Sequence, residues 1–141
     1  MKYVLDASTG AKCVLPEAHS DKAIRLRDAY RQGTHQLLCP DFYPVEVAHA
    51  ITRAERQGRI TPAQGAVGLR DTLNHLPLLR PSLTLLPRAY AISSALRVGV
   101  YDCVYVALAE REGCELVTAD DKLVKNLGQH FPFIVPLASL P

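Results

Sequence analysis

Tryptophan is missing from these 141 residues, and aromatic side chains make up only 6% of them. The core must therefore rest on Leu, Val, Ile and Ala. No two of the four cysteines, Cys13, Cys39, Cys103 and Cys114, stand in a C-x-x-C spacing, and their neighbours are mostly apolar. Such thiols suit burial in a reducing cytoplasm rather than a disulfide framework or a zinc site. The five histidines are scattered, with no H-E-x-x-H pair. There is no G-x-x-x-x-G-K-[ST] loop for nucleotide phosphates, no G-x-S-x-G and no cysteine-nucleophile signature. The start, MKYVLDAS, passes straight into a strand pattern without a signal-peptide core, and no apolar run reaches the roughly 18 residues of a membrane span. A cytoplasmic protein without a membrane segment is the expectation. Charge of one sign is also lacking: the net charge is only +2, so attraction to polyanions has to come from local clusters. Arg25, Arg27 and Arg31 form one such cluster, Arg53, Arg56 and Arg59 a second, and Lys122 with Lys125 a third; each alone reads as a solvated helix face.

What is present is an alternation of short apolar runs with amphipathic stretches. Hydrophobic residues at 48% and charged residues at 21% describe a globular chain, and this length suits one domain, 1–141, with a proper core. Residues 2–5 (KYVL) predict a first strand ending at Asp6, followed by a short helix capped by Ser8 that ends before Pro16. Ser20 opens a helix that stops at Gly33, and 36–39 (QLLC) predict a second strand. A long helix from about Asp41 to Gln57 carries stripes at Val45, Ala48, Thr52 and at Val47, Ile51, Ala54. Thr61-Pro62 is a cap with proline in the first turn and opens a helix to about His75. A third strand is expected at 83–86 (LTLL), then a helix from Pro87 to near Gly99. The apolar stretch from Asp102 to Glu112 predicts a buried helix stopped by Gly113. Strands at 115–118 and 133–137 flank a short helix, DDKLVKNL, that ends at Gly128. This order implies a mainly parallel five-stranded sheet with helices on both faces.

Four acids sit at telling places in that order: Asp6, Glu46, Asp102 and Asp120. Ligands of such sheets bind beyond the carboxyl ends of the strands. Asp6 and Asp120 lie at strand ends, and Glu46 lies early in the helix leaving the second strand. The helix beginning at Asp102 must deliver the chain to the start of the fourth strand, so its own beginning belongs at the opposite edge. All four are expected on one side. Carboxylates gathered without a cation repel one another, and a divalent metal with a taste for hard oxygen, Mg²⁺ or Mn²⁺, is the natural remedy. Two such ions about 3.5–4 Å apart would serve phosphodiester hydrolysis, one at the attacking water and one at the leaving oxygen. Asp6 and Asp102 are the expected direct ligands, with the helix dipole helping to keep Asp102 ionised; Asp120 and Glu46 would hold a second ion or orient water. Ser8 and Thr118 are expected to donate hydroxyls to a ligand or phosphate. Taken singly, Asp102 and Asp120 read equally well as helix caps and Glu46 as an exposed first-turn acid. Asp121 reads as solvated, the alternative being that it is the fourth ligand; His49 reads as a packed or solvent-facing histidine, the alternative being a general base.

At these residues the chain resembles the PIN-domain ribonucleases, and within them the VapC-type toxins of prokaryotic toxin–antitoxin pairs. The resemblance covers almost the whole length, from YVLDAS…K…LPE through PDFYPVEVAHAI and RQGRIT to SALRVGVYDCVYVALAEREGCELVTADDKLVKNL. It implies a three-layer α/β/α fold around a parallel five-stranded sheet, Mg²⁺- or Mn²⁺-dependent cleavage of RNA, a homodimer, and inhibition by a cognate antitoxin whose arginine can enter the acidic cluster. The acidic quartet of that family falls on Asp6, Glu46, Asp102 and Asp120, and its small hydroxyl residues on Ser8 and Thr118. The chain departs from the pattern at His49, where Asn is usual, at Cys13, in place of an aromatic, and at Thr9-Gly10, in place of more apolar residues. Two readings from other classes are weighed against a nuclease. A catalytically silent module of the same fold would use the acidic groove only to capture a basic partner peptide. A phosphoacceptor domain would need an acidic pair after the first strand, where only Asp6 stands.

Overall fold

Lys2–Leu5 forms β1, the middle strand of a five-stranded sheet ordered β3-β2-β1-β4-β5. The computed structural model describes every residue from Met1 to Pro141. β2 is Gln36–Pro40, β3 Leu78–Arg80, β4 Glu115–Thr118 and β5 Ile134–Pro136. All four pairings are parallel, so the sheet is wholly rather than mainly parallel. β1 is buried from Tyr3 to Leu5 and β4 from Leu116 to Thr118. That explains why both read as continuous apolar runs instead of an alternation.

The helices are α1 (Ala7–Lys12), α2 (Ser20–Arg31), α3 (Tyr43–Arg56), α4 (Pro62–Asn74), α5 (Leu86–Leu96), α6 (Val100–Glu112) and α7 (Asp121–Leu127). Helices α1 to α4 pack on one another, while α5 packs on α6 and α6 also meets β1, β2 and β4. With right-handed crossovers, the chain moves outward from β1 to β3 with its helices on one face. It then returns past β1 to β4 and β5 with its helices on the other. The result is the expected α/β/α sandwich. Every residue of α6 from Cys103 to Ala109 is buried, as befits a helix apolar all round and covered by both sheet and α5. Gly113 ends it at φ +62°, a left-handed turn that glycine adopts without strain.

The expected third strand at 83–86 is not one. Leu83–Leu85 is a 3₁₀ turn leading into α5, and β3 lies earlier, at Leu78–Arg80. Three residues at a sheet edge carry no usable period, and the leucines of LTLL mimic a strand while only Leu85 is buried. The cap of α1 is also corrected. Asp6, not Ser8, is the N-cap and accepts from the Thr9 N–H, while Ser8 lies inside the helix. The capping box of α4 is as expected, with Thr61 and Gln64 bonded reciprocally.

α1 can lie against α3 because residue 10 has no side chain: a Cβ there would run into the phenol of Tyr43. Tyr43 is itself buried, so its ring can give way only by disturbing its packed neighbours. Gly10→Ala would gain about 1 kcal/mol in helix propensity, yet the overpacking of about 1–3 kcal/mol should prevail at so closed a contact. A lower urea midpoint is expected, partly recovered when Tyr43→Phe removes the offending hydroxyl. A midpoint at or above wild type would show that the α1–α3 contact has slack.

Candidate active site

β1 and β4 are neighbours, yet α1 leaves the first toward one face of the sheet and α7 leaves the second toward the other. The crevice between such strands is where open α/β sheets place their ligands. Register pairs Leu5 with Val117, so Asp6 and Thr118 emerge side by side. Asp6 is 5% exposed. Its Oδ1 accepts from the Thr9 amide at 3.0 Å, the Thr9 hydroxyl at 3.0 Å and the Ser8 hydroxyl at 2.7 Å. Its Oδ2 accepts a short bond from the Thr118 hydroxyl. Ser8 Oγ in turn accepts from the Ala119 N–H at 3.1 Å, and Thr118 Oγ1 from the Asp120 N–H at 3.0 Å. Ser8 and Thr118 thus both donate their hydroxyls to Asp6. Thr9, read only as a departure from the family pattern, supplies two of the four donors.

The other three acids come from separate helices. Glu46, in the first turn of α3, is half-buried, and its Oε1 accepts from the Tyr105 hydroxyl at 2.8 Å. Tyr105 lies three residues after Asp102 on α6, one helical turn on, and nothing in its local pattern separates it from a core tyrosine. Asp102 is in the first turn of α6, which Gly99 precedes as cap, so the cap reading of Asp102 is excluded. Asp120 is the N-cap of α7, its Oδ1 accepting from the Lys122 N–H at 2.9 Å and the Leu123 N–H at 3.4 Å. All four acids line one cavity of about 480 Å³, together with Ser8 and His49. Asp121 does not line it and is exposed. His49 is exposed on the cavity wall, where its charge favours the ionised form of Glu46.

None of the four carboxylates is in a salt bridge. Burial pushes Asp6 above the usual carboxylate range despite its four donors. Glu46 is raised by burial and by the nearby Asp6 charge, against the hydrogen bond from Tyr105. Asp102 is pushed up to about 6, first by burial and then by Asp120, Asp6 and Glu46. The dipole of α6, expected to keep Asp102 ionised, is outweighed by desolvation and like charge. Converging oxygen donors, with proton affinity raised at Asp6, Glu46 and Asp102 and no Lys or Arg paired to them, suit a hard divalent cation in their chemistry. No group of three or more His, Cys, Asp or Glu side chains is already drawn to ligating spacing.

The expected basic clusters divide. Arg25 pairs with Asp21 and Arg27 with Asp71, so neither serves the cleft. Arg53 lines a groove that shares Ser8, His49 and Ala50 with the acidic cavity. The four cysteines are free; Cys39 and Cys103 are buried and the other two half-buried. No helix is long and apolar enough to cross a membrane.

A family model described as the PIN domain matches residues 3–127. Ribonuclease VapC3 of Pyrobaculum aerophilum is 32% identical over 137 residues, spanning 96% of this chain and 98% of that protein. Ribonuclease VapC3 of Mycobacterium tuberculosis is 32% identical over 125 residues, 88% of this chain and 86% of that one. Among solved structures, PAE2754 from Pyrobaculum aerophilum superposes with a TM-score of 0.69 at 24% identity, covering 99% of this chain and 94% of that chain. VapBC2 from Rickettsia felis, bound to a DNA fragment from their promoter, gives 0.65 at 15% identity, covering 96% and 97%. These two likenesses are of fold.

The raised acids set a sign for stability against pH. A carboxyl that binds its proton more tightly folded than unfolded destabilises the fold once that proton leaves. Without divalent metal, stability should fall as pH rises from about 4 through the Asp102 value of about 6. Asp102→Asn should flatten this dependence and raise the melting temperature in EDTA at pH 8 by about 3 °C or more. Calorimetric melts at pH 5.5 and 8 check it; an unchanged or lower melting temperature for the variant at pH 8 removes the burial and crowding of the Asp102 charge as the cause.

Proposed function

Since the chain belongs to the PIN-domain family, we propose that it is a divalent-metal-dependent endoribonuclease that cuts RNA phosphodiester bonds as the toxin of a toxin–antitoxin pair. The observation that carries this is the meeting of Asp6, Glu46, Asp102 and Asp120 in one cleft with no cation paired to any of them. Relatives that span nearly the whole chain are named ribonucleases, which supports the same activity here. Mg²⁺ or Mn²⁺ is the cofactor of this reading, with Asp6 and Asp102 as direct ligands and Glu46 and Asp120 holding a second ion or orienting water. When bound, such a cation lends Lewis acidity to the phosphate and lowers the pKa of a bound water.

The chain's own residues prepare that chemistry. Asp6 is held immobile by four donors, so its position is set before any ligand arrives. Tyr105 orients Glu46 from across the cleft. Asp102 keeps a proton below about pH 6 and sheds it above, so metal binding and cleavage should both strengthen as pH rises through that value. The reading also includes a homodimer, a cytoplasmic location and a cognate antitoxin whose basic segment would settle among the same acids.

RNA digestion with and without EDTA tests the proposal. Cleavage should require the metal and fall by at least about a hundredfold, equivalent to about 2.7 kcal/mol of transition-state stabilisation, in Asp6→Asn and in Asp102→Asn. Retained activity in both variants refutes the assignment. Tight capture of a basic peptide with no cleavage in any metal favours the silent binding module instead.

A further inference from the structure

The acidic cleft has two unlike ends. At one, Tyr101 and Val45 stand open to solvent, 59% and 70% exposed, beside the half-buried Phe42. The Phe42 ring meets Tyr101 edge-on at 5.0 Å and 87°, and meets Tyr105 edge-on at 5.6 Å and 87°. Tyr101 is thus propped by a ladder of rings whose far member, Tyr105, also holds Glu46. A tyrosine has few torsions to freeze, and here its neighbours already restrain it, so contact with a flat ligand would cost little ordering. At the other end, a groove of about 430 Å³ carries Lys12, Arg53 and Arg59. Lys12 and Arg59 share the carboxylate of Glu17, at 3.5 and 3.0 Å, and Arg53 is in no salt bridge. Three cations against one carboxylate leave that end positive, while the aromatic end has no basic side chain on its wall except His49.

A single strand of nucleic acid presents π-faces and phosphates, and its binding sites answer with aromatic platforms and basic grooves. We propose that Tyr101 is a stacking platform for the nucleobase beside the scissile phosphate, and that the backbone of the strand continues along the Arg53 groove. The inference rests on the ribonuclease reading. Tyr101 directly precedes Asp102, so a base stacked on it holds its own phosphate next to the acids. A duplex keeps its bases stacked on each other and has none to offer.

Steady-state cleavage of an unpaired oligoribonucleotide, and of the same strand annealed to its complement, tests the platform in wild type, Tyr101→Ala and Tyr101→Phe. The expected result is a KM raised about tenfold in the alanine variant with kcat within about twofold, near-wild-type values in the phenylalanine variant, and a duplex cut at least about tenfold more slowly. An RNA carrying 2-aminopurine should be quenched on binding Asp102→Asn, but not on binding the Asp102→Asn/Tyr101→Ala double variant. If wild type cuts RNA and Tyr101→Ala leaves KM unchanged, the platform is overturned while the nuclease reading stands. If wild type cuts no RNA, that reading falls, and equal quenching by the two 2-aminopurine complexes overturns the platform as well. An altered molar mass for Tyr101→Ala in light scattering, with KM unchanged, would assign Tyr101 to a protein contact and overturn it too.

Discussion

A carboxylate buried at the end of the central strand organises this molecule. Taking Asp6 out of water would be prohibitively costly without partners. Its partners are the amide and hydroxyl of Thr9, the hydroxyl of Ser8 and the hydroxyl of Thr118. The first three belong to the first turn of α1 and the last to the end of β4. Satisfying one acid therefore welds the start of a helix to the neighbouring strand at the point where the sheet changes the direction of its crossovers. The Asp6 N–H adds a bond to Val117 O at 3.3 Å, and the Thr9 hydroxyl approaches the same carbonyl at 3.3 Å. The backbone at the crevice is held from both sides.

That rigidity is what allows the remaining acids to be held close against their mutual repulsion. Glu46 and Asp102 stand on helices anchored by deeply buried faces, Val47 and Ile51 on α3 and Cys103 to Ala109 on α6. Packing of that kind stabilises the fold by far more than three perturbed carboxyls subtract. The local conflict among like charges is thus carried by a core that is consistent everywhere else, a pattern typical of functional sites. The raised proton affinities of Asp6, Glu46 and Asp102 are the measurable trace of that conflict.

Charge is distributed so as to leave the conflict standing. The chain has more Lys and Arg than Asp and Glu, yet none of them pairs with the four cleft acids. Arg27 goes to Asp71 at 2.9 Å, Arg88 to Glu110 at 2.8 Å and Arg59 to Glu17 at 3.0 Å. Exposed pairs such as Arg88–Glu110 contribute little to stability. Their consequence is local: they keep arginines away from the acids, while Arg53 remains beside the cleft. Negative cleft, positive groove and aromatic wall are then separate surfaces of one continuous depression.

The order of strands and helices was legible because burial on both faces writes apolar runs such as KYVL and ELVT, and because caps and stops such as Thr61-Pro62 and Gly113 act locally. Asp6 was legible too, since a charge closing an apolar strand has to find partners. β3 was not, because a three-residue edge strand is decided by its neighbour β2 and leaves no period of its own. The roles of Thr9 and Tyr105 were equally hidden: each acts on an acid brought to it by the fold, and Tyr105 meets Glu46 across 59 residues of chain. The proton affinity of Asp102 depends on burial and on three distant charges, so no local string could specify it. Sequence alone determined which groups were available, through side-chain chemistry and short-range periodicity. Only the tertiary structure decided which of them meet, because desolvation, charge repulsion and hydrogen bonding act through distances in space rather than along the chain.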